Sequence, residues 1–337
     1  MMKRLTIVLM GVLMLASCVD TEERSNDAVG NFEALWSMID QKYCFFDYKQ
    51  KEYGLDWNEV YTRYRKQVSD TLSQLQLFNL MGDMLGELRD GHVNLTSYFN
   101  TARYWNWKED YPTNYSDTLQ RIYLGTDYLI AGGLKYTYFL PDTVGYVSCN
   151  SFSTSFSENN LTYVLALLKG CKGLILDLRS NGGGLLTLSE RLAARFTEEK
   201  ILTGYMRHKT GTGHSDFSDY EAKYLEPFDG VRWTEPVVVL TNRGVFSAAN
   251  DCVNMLSCCK NVTIVGDKTG GGSGMPFTSE LPNGWAVRFS AVPMYDKNKN
   301  DIEFGIEPDY YVSITDEDFA RGKDTMIEFA RHLLAGE

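Results

Sequence analysis

Four segments carry residue types that can do chemistry together. Val237–Asn250 reads VVVLTNRGVFSAAN, a buried-strand pattern running through a Gly turn into a helix start. A Ser at such a turn, here Ser247, is exposed and faces the positive end of the helix dipole, as a nucleophile would; the same placement also suits a plain N-cap. Leu174–Gly184 reads LILDLRSNGGG, an apolar strand ending in three glycines. Glycines let another chain approach the backbone closely, and the exposed N–H groups can bind an anion or a developing oxyanion. No G-K-[ST] follows, so this is not a phosphate loop of the Walker type. Leu88–Leu95 reads LRDGHVNL and places His92 in a Gly turn before a strand. The chain has four histidines, His92, His208, His214 and His332, so a histidine base has few candidates. Asp301–Asp309, DIEFGIEPD, is a carboxylate-rich turn before the strand Tyr310–Ile314.

Composition narrows the classes. The 337 residues are 44% hydrophobic and 23% charged, which supports a sizeable core and argues against disorder. A net charge of −11 without a basic run makes a nucleic-acid partner unexpected, because phosphate contacts dominate that affinity. No C-x-x-C, no H-E-x-x-H and no paired His at helical spacing occurs, so no metal is expected. Met1–Ser17 has Lys3 and Arg4 before an apolar run and reads as a signal peptide. Leu15-Ala16-Ser17-Cys18 resembles a lipobox, which makes Cys18 the lipidated residue and residues 18–29, with Asp20, Glu22 and Glu23, an acidic tether. That predicts a bacterial cell-envelope protein anchored by lipid on the periplasmic face or the cell surface of the outer membrane. The other six cysteines lie in apolar runs and read as small core residues.

The elements that must position these residues follow from periodicity. Residues 30–90 are helical in pattern, with Phe32, Leu35, Trp36, Ile39 and Tyr43 at three- and four-residue steps. Asp56 is the expected N-cap of one helix through Val68, and Asp70 or Thr71 of another through Leu88. Residues 96–146 are rich in aromatics; runs such as Arg121–Ile130 and Lys135–Leu140 read as strands, and the segment is either a small β core or an aromatic wall beside a cleft. From Val144 strands and helices alternate: strands at Val144–Cys149, Gly173–Leu178, Val237–Thr241 and Val262–Val265, with helices at Asn160–Leu168, Leu185–Phe196 and Ser247–Leu256. Tyr310–Ile314 reads as a last strand, and Thr210–Gly230 as a loop. Continuous apolar strands between helices predict an α/β fold.

In this order, D-G-H, D-L-R-x-N-x-G-G, F-S-A-A, V-G-D-K-T-G and G-I-x-P-D resemble peptidase family S41, which includes the C-terminal processing proteases and the tricorn core protease. The resemblance spans roughly residues 30–337. It implies a crotonase/ClpP-like ββα spiral core over residues 91–337, a helical subdomain over 30–90, and a serine endopeptidase acting on peptides or unfolded protein without a cofactor. Processing proteases carry a catalytic Lys where this chain has Gly272, and Lys268 is expected at the surface. The tricorn-like branch uses Ser, His and Glu. That pattern assigns Ser247 as nucleophile, His92 as base and Glu303 as its orienting acid, with Asp301 and Glu307 as rivals, and the N–H groups of Gly183 and Ala248 as the oxyanion hole. The branch's second Ser falls on Gly91. Only about fifty residues separate His92 from Val144, so no PDZ domain is expected. A non-catalytic peptide-binding lipoprotein and a small-molecule esterase or amidase are the competing readings.

Overall fold

The computed structural model describes residues 25–141 and 143–336. The signal-peptide and Cys18 expectations lie outside the described residues. Four helices open the chain: α1 (Ala28–Lys42), α2 (Phe46–Tyr53), α3 (Trp57–Arg65) and α4 (Gln74–Gly86). Asp27 and Asp56 cap α1 and α3 as the residue types dictate. The cap of α4 is Ser73, not Asp70 or Thr71. Ser73 forms a capping box with Gln76, in which each side chain accepts from the other residue's backbone N–H.

Strands β1 (Asn94–Thr96) and β2 (Thr101–Arg103) lead to short α5 (Asn106–Glu109) and to α6 (Asp117–Leu124). The expected strand over Arg121–Ile130 is therefore a helix followed by β3 (Leu129–Ala131). Ser116 caps the helix, and its Leu119, Gln120 and Leu124 face inward at helical spacing. β4 (Leu134–Phe139), β5 (Val144–Ser148), α7 (Glu158–Leu168), β6 (Gly173–Asp177) and α8 (Leu186–Ala193) then follow the sequence pattern closely. Beyond α8 come β7 (Ile201–Met206) and β8 (Glu221–Leu225), the latter inside the segment expected to be a loop. Only Leu225 of β8 is fully buried, so the strand carries no apolar alternation to read. The chain closes with β9 (Val237–Thr241), α9 (Ala248–Leu256), β10 (Val262–Gly266), β11 (Gly274–Glu280), β12 (Ala286–Asp296), β13 (Tyr310–Tyr311), α10 (Asp316–Ala320) and α11 (Thr325–Ala335).

The fold is mixed α/β. One sheet has the order β13-β10-β9-β6-β5-β4-β3, parallel from β13 to β5. Its alternate residues serve two cores: Leu174, Leu176, Val237 and Val239 pack with α7, α8 and α9, while Ile175, Val238 and Leu240 pack with Met326 and Ile327 of α11. Burial on both faces is why these strands read as unbroken apolar runs. The other sheet, β2-β1-β12-β7-β8 with β11 against β12, packs its Val287 and Phe289 on Phe32, Leu35, Phe78 and Met81 of the opening helices. The six described cysteines are free thiols, five of them buried. No helix among the described residues is long and apolar enough to cross a membrane.

The strand ends that lead to the site are held by a buried charge cluster. Arg179 is fully buried and donates to both oxygens of Asp177 at 2.9 and 2.7 Å and to Asp324 at 2.8 Å. Asp324 also caps α11 through Met326 and Ile327. Removing one member of such a set strands a buried charge, at a cost of about 3–5 kcal/mol. Asp324→Ala is expected to lose stability on that order in urea denaturation. A loss within error of zero would show that the cluster does not hold the strand ends.

Candidate active site

Ser247 sits at φ 59° and ψ −125°, a left-handed conformation rare for a residue with a Cβ. The strain turns its side chain away from the helix it precedes, so it caps nothing. Its Oγ lies 3.0 Å from His92 Nε2 instead, across 155 positions of sequence. The plain N-cap role of Ser247 is thereby excluded.

His92 is buried and follows the strongly held turn of Asp90. The Asp90 carboxylate accepts from the His92 N–H at 2.7 Å, the Tyr43 hydroxyl at 3.0 Å and the Ser290 hydroxyl at 2.9 Å. Burial pulls the His92 pKa down to about 4; Asp90 works against that, and Arg288 and Arg103 add to it. The imidazole is thus neutral at physiological pH, as a base must be. The other histidines stand elsewhere: His214 stacks on Phe46 and pairs with Asp40, His208 faces Glu221, and His332 lies on α11.

Glu303 is buried in the same region, but its oxygens are committed: Oε1 to Lys49 Nζ at 3.3 Å and Oε2 to the Ser273 N–H at 2.9 Å. His92 Nδ1 has no partner within hydrogen-bond distance among the described residues. The direct Glu303–imidazole bond expected from the sequence is therefore not formed. Lys49, fully buried on α2, takes Oε1 and also donates to Arg89 O while lying 4.1 Å over the Phe304 ring. Burial and the neighbouring Asp90 charge push Glu303 up to about 8, while Lys49 and the Ser273 N–H pull it down. Of the rivals, Asp301 is raised to about 6 by burial, and Glu307 is exposed and bonded to Lys268 at 2.8 Å.

The oxyanion donors also divide. The Ala248 N–H is at the first position of α9, where no intrahelical acceptor exists, and no acceptor is recorded for it among the described residues. The Gly183 N–H donates to Asn181 Oδ1 at 2.9 Å, so the expected second donor is occupied by a side chain two residues back. Gly183 nonetheless presses against the nucleophile. At φ +90°, a Cβ there would stand 2.8 Å from the Ser247 Cβ and 2.9 Å from the Ala248 N.

Two glycines explain the departures from the family pattern. A Cβ on Gly272 would lie 2.4 Å from the Phe246 ring, so the space for a catalytic Lys is filled by an aromatic. A Cβ on Gly91 would lie 2.6 Å from Trp107 Nε1 and 2.9 Å from the same Phe246 ring, leaving no room for a second Ser. Trp107 stacks on Phe246 at 4.2 Å, so part of the aromatic segment is indeed a wall of the site. Beside Ser247 a cavity of about 140 Å³ is lined by Leu186, Met275, Pro276, Met294, Ile302 and Arg288, among others.

Comparison with known proteins gives the family of the chain. The model of peptidase family S41 matches residues 143–312, half of the chain, and that of the tricorn protease C1 domain matches residues 25–86. The chain belongs to peptidase family S41. A carboxyl-terminal-processing protease of Synechocystis is 29% identical over 200 residues, 58% of this chain and 44% of that one. The carboxy-terminal processing protease CtpA of Bacillus subtilis is 27% identical over 184 residues, 54% of this chain and 37% of that one. The matched regions thus span less than half the length of these relatives. Among solved structures, a candidate peptidase from Parabacteroides merdae is 53% identical with a TM-score of 0.88, covering 92% of this chain and 97% of its own. Mature CPAF bound to lactacystin shares the fold with a TM-score of 0.69 at 12% identity, covering 92% of this chain and 99% of that chain.

Lys49 and Asp90 are the site residues that sequence reasoning missed. Their signal was weak: Lys49 sits in a polar helix, FDYKQKEY, whose other lysine, Lys51, is exposed. Removing Lys49 alone leaves Glu303 buried without a counter-charge. Lys49→Met is expected to lose about 3–5 kcal/mol in chemical denaturation, and Lys49→Met with Glu303→Gln to recover most of it. Equal losses in the single and double variants would show that the pair is not coupled.

Proposed function

We propose that this chain is a serine endopeptidase in which Ser247 attacks a peptide carbonyl. His92 Nε2 takes the Ser247 proton and returns it to the leaving amine, and water then resolves the acyl-enzyme with the same base. The 3.0 Å Oγ–Nε2 contact, held by a strained Ser247, carries this reading. It also speaks against a non-catalytic peptide binder, which has no use for that strain. Such acyl transfer requires neither metal nor cofactor.

The imidazolium formed on proton transfer is favoured by the Asp90 carboxylate of its own turn and opposed by Arg103 and Arg288. Glu303, bonded to Lys49 and to the Ser273 N–H, acts in this scheme by fixing the loop that carries Ser273 rather than by a direct bond to the imidazole. The Ala248 N–H is placed as the first oxyanion donor, and the Gly183 N–H becomes the second once it leaves Asn181. One such donor contributes about 3–4 kcal/mol to lowering the barrier. The apolar cavity beside Ser247 suits a medium-sized side chain of the substrate.

The order of the strands and the pairing of a parallel with an antiparallel sheet support a crotonase/ClpP-like spiral. On this reading residues 30–90 form a helical unit and 91–337 a peptidase core without a PDZ domain. The Leu15–Cys18 pattern supports cleavage after residue 17, lipidation of Cys18, and membrane attachment at the bacterial cell envelope. The substrate is a peptide or an unfolded protein.

A peptide-library cleavage assay tests the activity. Ser247→Ala is expected to abolish turnover, and His92→Ala to lower kcat by about 10²–10⁴-fold with an unchanged circular dichroism spectrum. Cleavage by Ser247→Ala at the wild-type rate would refute the assignment. The pH profile is a second check. A base with a free-enzyme pKa of about 4 is neutral above it, so kcat/KM on an uncharged peptide is expected to fall only as pH drops towards about 4. A fall already at the ordinary imidazole value near 6.5 would place the base in water rather than in this pocket.

A further inference from the structure

Arg103 and Arg288 stand in one cross-strand row. The register pairs Asn94 of β1 with Arg103 of β2 on one side and with Arg288 of β12 on the other. The row begins two residues after His92. Arg103 Nε donates to the Gly91 carbonyl at 2.8 Å, and its guanidinium lies 4.2 Å over the Trp105 ring. It lines a cleft together with Trp107, Ser180, Gly182 and Phe246. Arg288 lines the cavity that holds Ser247 and Ser273. Arg288 therefore borders the nucleophile, Arg103 borders the neighbouring cleft, and both act on the base between them.

Neither is paired with a carboxylate among the described residues, in a chain with 44 acidic and 33 basic side chains. Arg63 and Arg321, farther from the site, are paired with Glu87 and Glu317. Lys108, 5.0 Å from the Trp105 ring, and Arg243 line the cleft of Arg103 as well; Glu109 shares that cleft and pairs with none of them. The charged groups acting on His92 are Asp90 from its own turn, Arg103 from β2 and Arg288 from β12; the turn that packs on the ring presents Phe246 and Ser247, both neutral. The two guanidiniums oppose the charge that the base must acquire, and Asp90 alone works against them. An anion arriving with the substrate cancels that opposition.

We propose that Arg103 and Arg288 form a carboxylate subsite that selects peptides with an acidic group beside the scissile bond. This rests on the peptidase reading of Ser247 and His92. The substrate carboxylate bonds a guanidinium, a match of planar donors to planar acceptors, and also stabilises the imidazolium. Acidity in the substrate then raises kcat as well as lowering KM.

The test uses acetylated, amidated peptides of one sequence with Glu or Gln at each position flanking the bond, plus the Gln peptide with a free C-terminus. The Glu peptide is expected to win by roughly tenfold or more in kcat/KM at one position, less at high salt. A gain only with the free C-terminus would assign the subsite to a chain-end carboxylate instead of a side chain. Arg288→Gln and Arg103→Gln are expected to erase the preference while still cleaving the Gln peptide, and Arg288→Glu to turn it towards Lys. Equal rates on all peptides, unchanged by these substitutions, would overturn the subsite and leave the peptidase standing. No cleavage of any peptide would overturn both.

Discussion

The site depends on how closely the Arg243–Ser247 turn can be approached. Phe246 is the shelf at its centre. The backbones of Gly91, Gly183 and Gly272 come so near this turn that a single Cβ on any of them would stand 2.4–2.9 Å from Phe246, Ser247 or Trp107. That proximity brings a histidine from the loop after the opening helices to a serine at the start of α9. It also dictates what the site cannot contain. Phe246 fills the lysine position of the processing proteases, and Trp107 with Phe246 fills the position of the second serine. The variant chemistry and the packing are one fact seen twice.

Arg243 ties the turn down. Its guanidinium donates to the carbonyls of Trp107, at 3.1 and 2.7 Å, and of Thr269, at 2.7 Å, so the aromatic segment, the Ser247 turn and the glycine-rich loop after β10 meet on one side chain. Carbonyl oxygens solvate a buried guanidinium without neutralising it, which fixes three loops without a further carboxylate near the base. The negative charge beside the base is then left to Asp90, and Lys49 reaches the buried Glu303 from the opening helices. The helices are thus not a passive cover. They supply a charge to the centre of the site.

The parallel-sheet elements were legible in the sequence because both faces of β5, β6 and β9 are apolar, and because helices such as α7 carry apolar residues at helical spacing, Leu161, Val164, Leu165 and Leu168. Ser247 and His92 were legible because each sits in a glycine turn next to such a strand. The antiparallel sheet was not. β8 has one fully buried residue, and the long β12 alternates faces between the helical core and the cleft, so neither shows a clean period. The helix α6 reads as a strand because its Ile122 and Tyr123 are β-favouring residues adjacent in sequence, and only the Ser116 cap marks the helix. The Glu303 role was legible in position but not in contact. Pairing with Lys49 joins residues 254 positions apart, and no local pattern announces it.

The central claim is that the Ser247 hydroxyl is activated by His92 in the folded chain. Fluorophosphonate labelling followed by mass-spectrometric mapping reads this without knowledge of the substrate. The account requires one adduct, on Ser247, formed in the folded wild-type protein and slowed by orders of magnitude in His92→Ala. An unlabelled Ser247 in folded protein, or labelling at the same rate without the His92 ring, would contradict it.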